Sequence, residues 1–315
     1  MVRDRGPGRA PCRAAVVGVF IVAVVTACAL PTAPTEQRRA PASIVVLLSD
    51  ATPAYTSVGS EIERRRPGTV ETLNLATDAE RAKALRARLA QPRPPTVIAV
   101  GLPAAQFARR LGAGRLVFCQ VFNYEDAGLA GHGVRGVSAT PPVREQFRYW
   151  KLLSPSLRRV GVVSGPGLPA LLAEARAAAR DQRLELVHVP ARSDRELLAA
   201  FKRLAPEVDG FWLLPDNRVL SREAVGDLLA FATRADKQVL VFTPQLLDLG
   251  ALLSAEAEPG DIAEQVLAVA GAAPRSSRAP AVAPLTRARI RINPTVAAWF
   301  NLTLAPPLQG LVHAP

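Results

Sequence analysis

The stretch VDGFWLLPDNRVLSREAVGDLLAFATRA, residues 208–235, changes its period halfway. Its first part, VDGFWLLP (208–215), is an apolar run of strand length, and Pro215-Asp216-Asn217 that follows is turn chemistry. Ser221 then stands as an N-cap before REAVGDLLAFATRA (222–235), whose apolar residues recur at helical spacing. Working outward, the same unit repeats. Strand-like runs stand at 43–49, 69–75, 96–101, 115–122, 158–164, 184–189 and 237–242. Helical patterns separate most of them, among them DAERAKALRARLA, PPVREQFRYWKLL and DRELLAAFKRL, with Thr77-Asp78 and Ser193-Asp194 as further starts. Strand alternating with helix this many times implies α/β domains with parallel sheets, and continuous Val/Ile/Leu strands imply sheets covered on both faces.

The chain of 315 residues is 49% hydrophobic, enough for large cores, and its length suits two domains. Its beginning reads differently. An apolar run from Ala14 to Val25 is too short to cross a bilayer and follows Arg3, Arg5, Arg9 and Arg13, as in a secretory signal peptide. It ends Val25-Thr26-Ala27-Cys28, which resembles a bacterial lipobox, so Cys28 is expected to carry lipid and become the mature N-terminus. A soluble secreted protein is the plainer alternative. Residues 1–27 are then signal peptide and 28–42 a Pro-rich tether. Removing the signal takes the formal charge from +12 to +9 and leaves, besides Cys28, only Cys119, which lies in the apolar run LVFCQVF and reads as packing.

A sequence pI near 10.8 raises nucleic acid as a partner. Only Lys83, Lys151, Lys202 and Lys237 of the 39 basic residues are lysine; the arginines are spread along helices with no aromatic stripe between them. No nucleic-acid partner is expected; an anionic ligand or membrane surface stays open.

In parallel sheets a ligand lies beyond the carboxyl ends of the strands. Those ends read Ser49-Asp50, Gly101-Leu102-Pro103, Phe122-Asn123-Tyr124, Ser164-Gly165-Pro166 and Pro215-Asp216-Asn217. Each alone is ordinary turn chemistry; as a set they suggest a shared cleft. Enzyme signatures fare worse. Gly131–Gly136 fits G-x-G-x-x-G but follows no strand, and Gly165–Ala170 lacks the acid that would hold a ribose. No G-x-S-x-G or G-x-x-x-x-G-K occurs. His132, His188 and His313 are far apart without metal-ligand spacing, and His188 reads as a core histidine. Binding without metal or cofactor, rather than catalysis, is expected.

The order of these pieces carries a resemblance. VIAVGLPAAQFA, VFCQVFNYEDAGL, GVRGVSATPPVREQF, LLPDNRVLSREAVGDLLAFA, LLDLGALLSAEAEPGDIAEQ and RIRINPTVAAWFNLTLAPPL resemble, in this order, segments of the ABC-transporter substrate-binding protein family that includes tryptophan- and tyrosine-type binders. The resemblance implies a type I periplasmic-binding-protein fold, two α/β lobes joined by three crossovers and closing by a hinge. It implies lobe I over 43–138 plus 251–279 and lobe II over 139–250 plus 280–315. Three departures stand out. The family's Asp-Pro is Asn123-Tyr124; its Asn and Thr before a glycine are Gly133 and Arg135; and an aromatic before a later glycine gives way to Glu258-Pro259-Gly260. Asn is a weaker partner than Asp for a ligand ammonium, whereas Arg135 would favour a carboxylate or other anion, or simply face solvent. An altered ligand, or none, stays open.

The expectation is a monomeric, lipid-anchored, extracytoplasmic solute-binding protein that delivers a small polar or aromatic, amino-acid-like solute to an ABC permease. The ligand is expected at Ser49, Asp50, Gly101, Asn123, Ser138, Ser164, Asp216 and Asn217, with Tyr55, Tyr124 or Trp212 available to stack on a ring. The competing expectation is a non-transport envelope lipoprotein on the same scaffold, a sensor or an accessory to an outer-membrane receptor. Ala29 after Cys28 implies sorting to the outer membrane in a diderm cell; in a cell with one membrane the protein would face the surface.

Overall fold

The computed structural model describes residues 43–129, 133–272 and 281–313. The signal peptide, Cys28, the tether to residue 42, His132 and part of the Gly131–Gly136 motif lie outside the described residues. In chain order the first part runs β1 (Ile44–Leu48), α1 (Pro53–Arg65), β2 (Val70–Asn74), α2 (Ala79–Leu89), β3 (Thr96–Val100), α3 (Leu102–Arg110), β4 (Leu116–Cys119), β5 (Val134–Val137) and α4 (Val143–Leu153). The second runs β6 (Arg159–Ser164), α5 (Pro169–Asp181), β7 (Glu185–Pro190), α6 (Asp194–Leu204), β8 (Gly210–Trp212), α7 (Arg222–Arg234), β9 (Gln238–Val241) and β10 (Leu253–Glu256). Then follow α8 (Pro259–Gly271), β11 (Val282–Ala283), β12 (Arg289–Ile292) and two short helices, α9 (Pro294–Trp299) and α10 (Pro306–Gln309).

These strands form two six-stranded sheets, ordered β11-β5-β4-β3-β1-β2 and β12-β10-β9-β8-β6-β7. Leaving out the edge strands β11 and β12, both sheets have the same doubly wound order, second-first-third-fourth-fifth. All pairings are parallel except β10 with β12. Each sheet is buried on both faces, as its apolar strands require. Val45 and Leu47 of β1 face α2 and α3, while Val46 and Leu48 face α1 and α8. Trp212 and Leu214 pack on the α4 and α5 side of the second sheet, and Phe211 and Leu213 on the α6 and α7 side. Val45, Val46 and Leu47 are fully buried, each such side chain contributing up to about 2 kcal/mol.

Two helix starts behave as their sequences imply. Ser193 Oγ accepts from Glu196 N at 3.3 Å and Ser221 Oγ from Ala224 N at 3.1 Å. Asp78 instead turns back to accept from Asn74 N at 2.9 Å and caps nothing.

The chain crosses between sheets three times, at 138–142, 257–258 and 284–288. The first and third crossings run side by side, Ser138 N donating to Ala283 O at 2.9 Å. Two expected limits shift. Residues 251–256, expected with the first lobe, end in β10, which pairs with β9 and β12 in the second sheet. Residues 282–283, expected with the second lobe, pair with Gly136 and Val137 in the first. The cause is that β10 completes the second sheet before the chain leaves it, and β11 covers the open edge of β5.

Burial forces polar groups in the second core to find partners. Trp150 Nε1 donates to Gln238 Oε1 at 2.8 Å, and Gln238 Nε2 donates to Ser154 Oγ at 2.9 Å, all three residues being buried. Trp150 reaches this pair because Gly210 has no side chain; a Cβ there would lie 2.6 Å from the indole. Gln238→Leu strands the indole N–H, so urea denaturation should show a loss of about 1–3 kcal/mol, whereas Lys237→Gln at the neighbouring position should cost far less.

Candidate functional site

In a sheet ordered second-first-third, neighbouring connections leave the first and third strands in opposite directions, opening a crevice beyond their ends. In the first lobe that crevice lies past β1 and β3. Ser49 fixes its floor: its Oγ donates to Val100 O at 2.9 Å and accepts from Ala104 N at 3.1 Å, tying the ends of β1 and β3 to the start of α3. Gly101 makes the contact possible. Its φ is +88°, and a Cβ would lie 2.5 Å from Ser49 Oγ and 2.8 Å from Tyr55 Cζ. Asp50 Oδ1 accepts from Thr52 N at 2.8 Å just before α1 begins at Pro53. Tyr55 packs beside it, its phenol held above the usual range by burial first and by the Asp50 charge second.

The second lobe faces this crevice with the end of β8. Trp212 Nε1 donates to Gln146 Oε1 at 3.0 Å, and Gln146 Nε2 donates to Pro141 O at 2.8 Å, so a buried network leads from β8 to the first crossing. Between the lobes lies a cavity of about 1000 Å³. Ser49, Asp50, Tyr55, Phe122 and Asn123 line it from the first lobe, and Trp212, Asn217, Phe242 and Thr243 from the second. Thr140, Gln146 and Glu256 are among the other polar residues on its wall.

Of the expected ligand residues, Ser49, Asp50, Asn123 and Asn217 are brought together on this cavity. Gly101, Ser138, Ser164 and Asp216 are not on its wall. Gly101 acts through the space it leaves. Ser138 Oγ accepts from Thr140 N at 3.1 Å and shapes the crossing. Ser164 is fully buried, with its Oγ 3.1 Å from Gly165 O and 3.1 Å from His188 Nε2. That serine–histidine pair has no opening to the cavity, and burial, with the Arg176 charge, holds His188 below the usual imidazole range.

Asp216 is taken up inside the protein. It is 2% exposed; its Oδ2 accepts from Gly165 N at 2.8 Å and its Oδ1 from Arg218 Nε at 2.7 Å. Arg218 in turn donates through Nη1 to Pro166 O at 2.5 Å and to Asp126 Oδ2 at 3.0 Å, Asp126 lying in the turns after β4 of the other lobe. The hydrogen bond that Arg218 donates to Asp216 is the main cause that raises its guanidinium above the ordinary range. Nor does Arg135 reach the cavity: it donates to Ala272 O, at the carboxyl end of α8, at 3.0 Å. Tyr124 packs against the first core and Cys119 is buried, its thiol pushed up to about 12. Among the described residues no group of His, Cys, Asp and Glu is arranged to hold a metal ion, and no helix is long and apolar enough to cross a membrane.

Sequence reasoning missed Phe242, Thr243 and Glu256. The first two stand at the end of the strand run 237–242 and were open to the strand-end rule; Glu256 needed β10, whose LSAE carries no apolar run. Arg218 was missed because only the fold sets its side chain between two carboxylates. Asp216→Ala should lower stability by about 1–3 kcal/mol in urea, since it leaves the buried Gly165 N–H and Arg218 Nε without their acceptor, while Asn217→Ala on the cavity wall should stay within about 0.5 kcal/mol of the parent.

No protein-family model matches the sequence, and no curated protein matches it either. Solved structures do. An ABC domain from Streptococcus pneumonia in complex with L-Trp superposes with a TM-score of 0.61 at 18% identity, over 87% of this chain and 100% of that one. A ligand-free, open substrate-binding protein with adhesive properties from Clostridium difficile gives 0.61 at 15% identity, over 86% and 98%. A sugar-binding protein of a sugar ABC transporter from Bacillus halodurans gives 0.54 at 13%, over 81% and 98%. At these identities the likeness is one of fold: the chain is built as a type I periplasmic binding protein, the two-lobed architecture of these ABC-transporter substrate-binding proteins.

Proposed function

We propose that the chain is a lipid-anchored solute-binding protein of an ABC-type importer, which captures a small polar or aromatic solute between its lobes. The observation that carries this reading is the cavity of about 1000 Å³, lined from both lobes by strand ends and helix starts and joined by three crossings. Closure around a solute would bring Ser49, Asp50 and Asn123 toward Asn217 and Thr243, excluding water and strengthening each polar contact. Cys28 would hold the protein at the membrane by its lipid, facing the permease or, if Ala29 directs it to an outer membrane, the periplasm. The solved structures of similar fold support the solute-binding part of this reading, since their names describe a tryptophan complex and a sugar binder.

A second reading draws on Arg218. Its bridge from Asp216 to Asp126 ties the lobes together without a solute, as a sensor or receptor accessory with an idle pocket would allow.

Two measurements test the proposal. In a thermal-shift screen of amino acids, amines, sugars and organic acids, a true ligand at 100 times its dissociation constant should stabilise the protein by about 2.7 kcal/mol. Asn123→Ala and Asn217→Ala, one from each lobe, should each weaken it about tenfold; silence across the panel would favour the second reading. Cys28→Ser should abolish labelling by radioactive palmitate and release the protein from the membrane fraction; retained label would refute the anchor.

A further inference from the structure

Although the chain carries 39 basic residues against 27 acidic ones, among the described residues no Lys, Arg or His lines the interlobe cavity. Two carboxylates do, Asp50 and Glu256. Glu256 has a counter-charge, Arg291 Nε at 3.4 Å. Asp50 forms no ion pair among the described residues; it accepts a hydrogen bond from Thr52 N. The other strand-end carboxylate, Asp216, is already neutralised by Arg218. The cavity therefore presents one uncompensated negative charge, beside the rings of Tyr55 and Phe122 and across from Phe242.

Groups that could receive an anion are also few. The helices that begin at the cavity carry proline in the first turn, at Pro53 of α1, Pro103 of α3 and Pro259 of α8, and proline has no N–H to offer. Two further N–H groups are consumed locally, Ala104 by Ser49 Oγ and Thr52 by Asp50. A ligand carboxylate entering here would meet Asp50 at short range with no cation to offset it. An ammonium would meet a carboxylate and aromatic faces, the two partners it binds best in a dehydrated site.

Resting on the solute-binding reading, we infer that the cavity selects a small amine cation with an apolar or aromatic body and no carboxylate, with Asp50 holding the ammonium. Tryptamine, tryptophan and indole-3-propionate carry one ring with an ammonium, with both charges, and with a carboxylate alone. In calorimetric titration of the full chain at pH 7, tryptamine should bind at least about tenfold tighter than tryptophan, and indole-3-propionate should bind weakest. Asp50→Asn keeps the oxygen that accepts from Thr52 N and removes the charge. It should leave the melting temperature unchanged and weaken tryptamine about tenfold or more, erasing its advantage over tryptophan. Tighter binding of tryptophan or indole-3-propionate overturns the inference while leaving the solute-binding reading intact. An equal affinity for tryptamine in folded Asp50→Asn overturns the role of Asp50. Silence from all three overturns the amine assignment, and the broader screen then decides the solute-binding reading alone.

Discussion

Both faces of both sheets must be covered, and that constraint arranges everything else. Strands such as IVVLL in β1 and TVIAV in β3 have no polar face to show to water, so helices lie on either side and the edges of the layers are spent on packing. Polar chemistry is left one place to stand, past the carboxyl ends of the strands. Because both sheets are wound in the same order, each opens a crevice at the corresponding point, and the three crossings set the two crevices facing each other. The cavity is thus a consequence of topology before it is a consequence of any single residue. What individual residues decide is how each crevice is filled. In the first lobe Ser49 and Gly101 keep it open beside Asp50 and Tyr55. In the second, Asp216 has drawn Arg218 into the equivalent place.

That contrast explains why the fold was more legible in the sequence than the site. Strand patterns were strong where five or six residues run together, and β1, β2, β3, β6 and β7 lie within a residue or so of the runs that announce them. The strands that escaped notice, VRGV of β5, LSAE of β10, VA of β11 and RIRI of β12, have four residues or fewer and so carry little period. RLVFCQVF reads as a long strand but stops at Cys119, because Gln120 turns to a φ of +56° and sends Phe122 and Asn123 toward the cavity. Strand-end logic found the cavity through Ser49, Asp50, Asn123 and Asn217. It could not tell a residue that lines the space from its neighbour that builds the wall: Asp216 and Asn217 are adjacent in sequence, yet one is buried in an ion pair and the other faces the cavity.

Net charge was the least informative feature. A basic chain invites an anionic partner, yet the arginines serve locally. Arg135 sits at the carboxyl end of α8, Arg218 bridges two carboxylates, and Arg291 stands against Glu256. Arg135 and Arg218 are placed where a planar donor can satisfy a carbonyl or a carboxylate of the fold itself, and Arg291 lies within ion-pair distance of Glu256. The surface is positive while the cavity wall holds an unpaired acid, so total charge and site charge have opposite signs.

A solute bound in the cavity would engage both lobes at once. Hydrogen exchange read by mass spectrometry, with and without a saturating solute from the screen, tests this most directly. Closure around a bound solute predicts joint slowing in the segments 49–57 and 120–123 of the first lobe and 212–217 and 242–245 of the second. Slowing confined to one lobe, or to segments away from these strand ends, would contradict it.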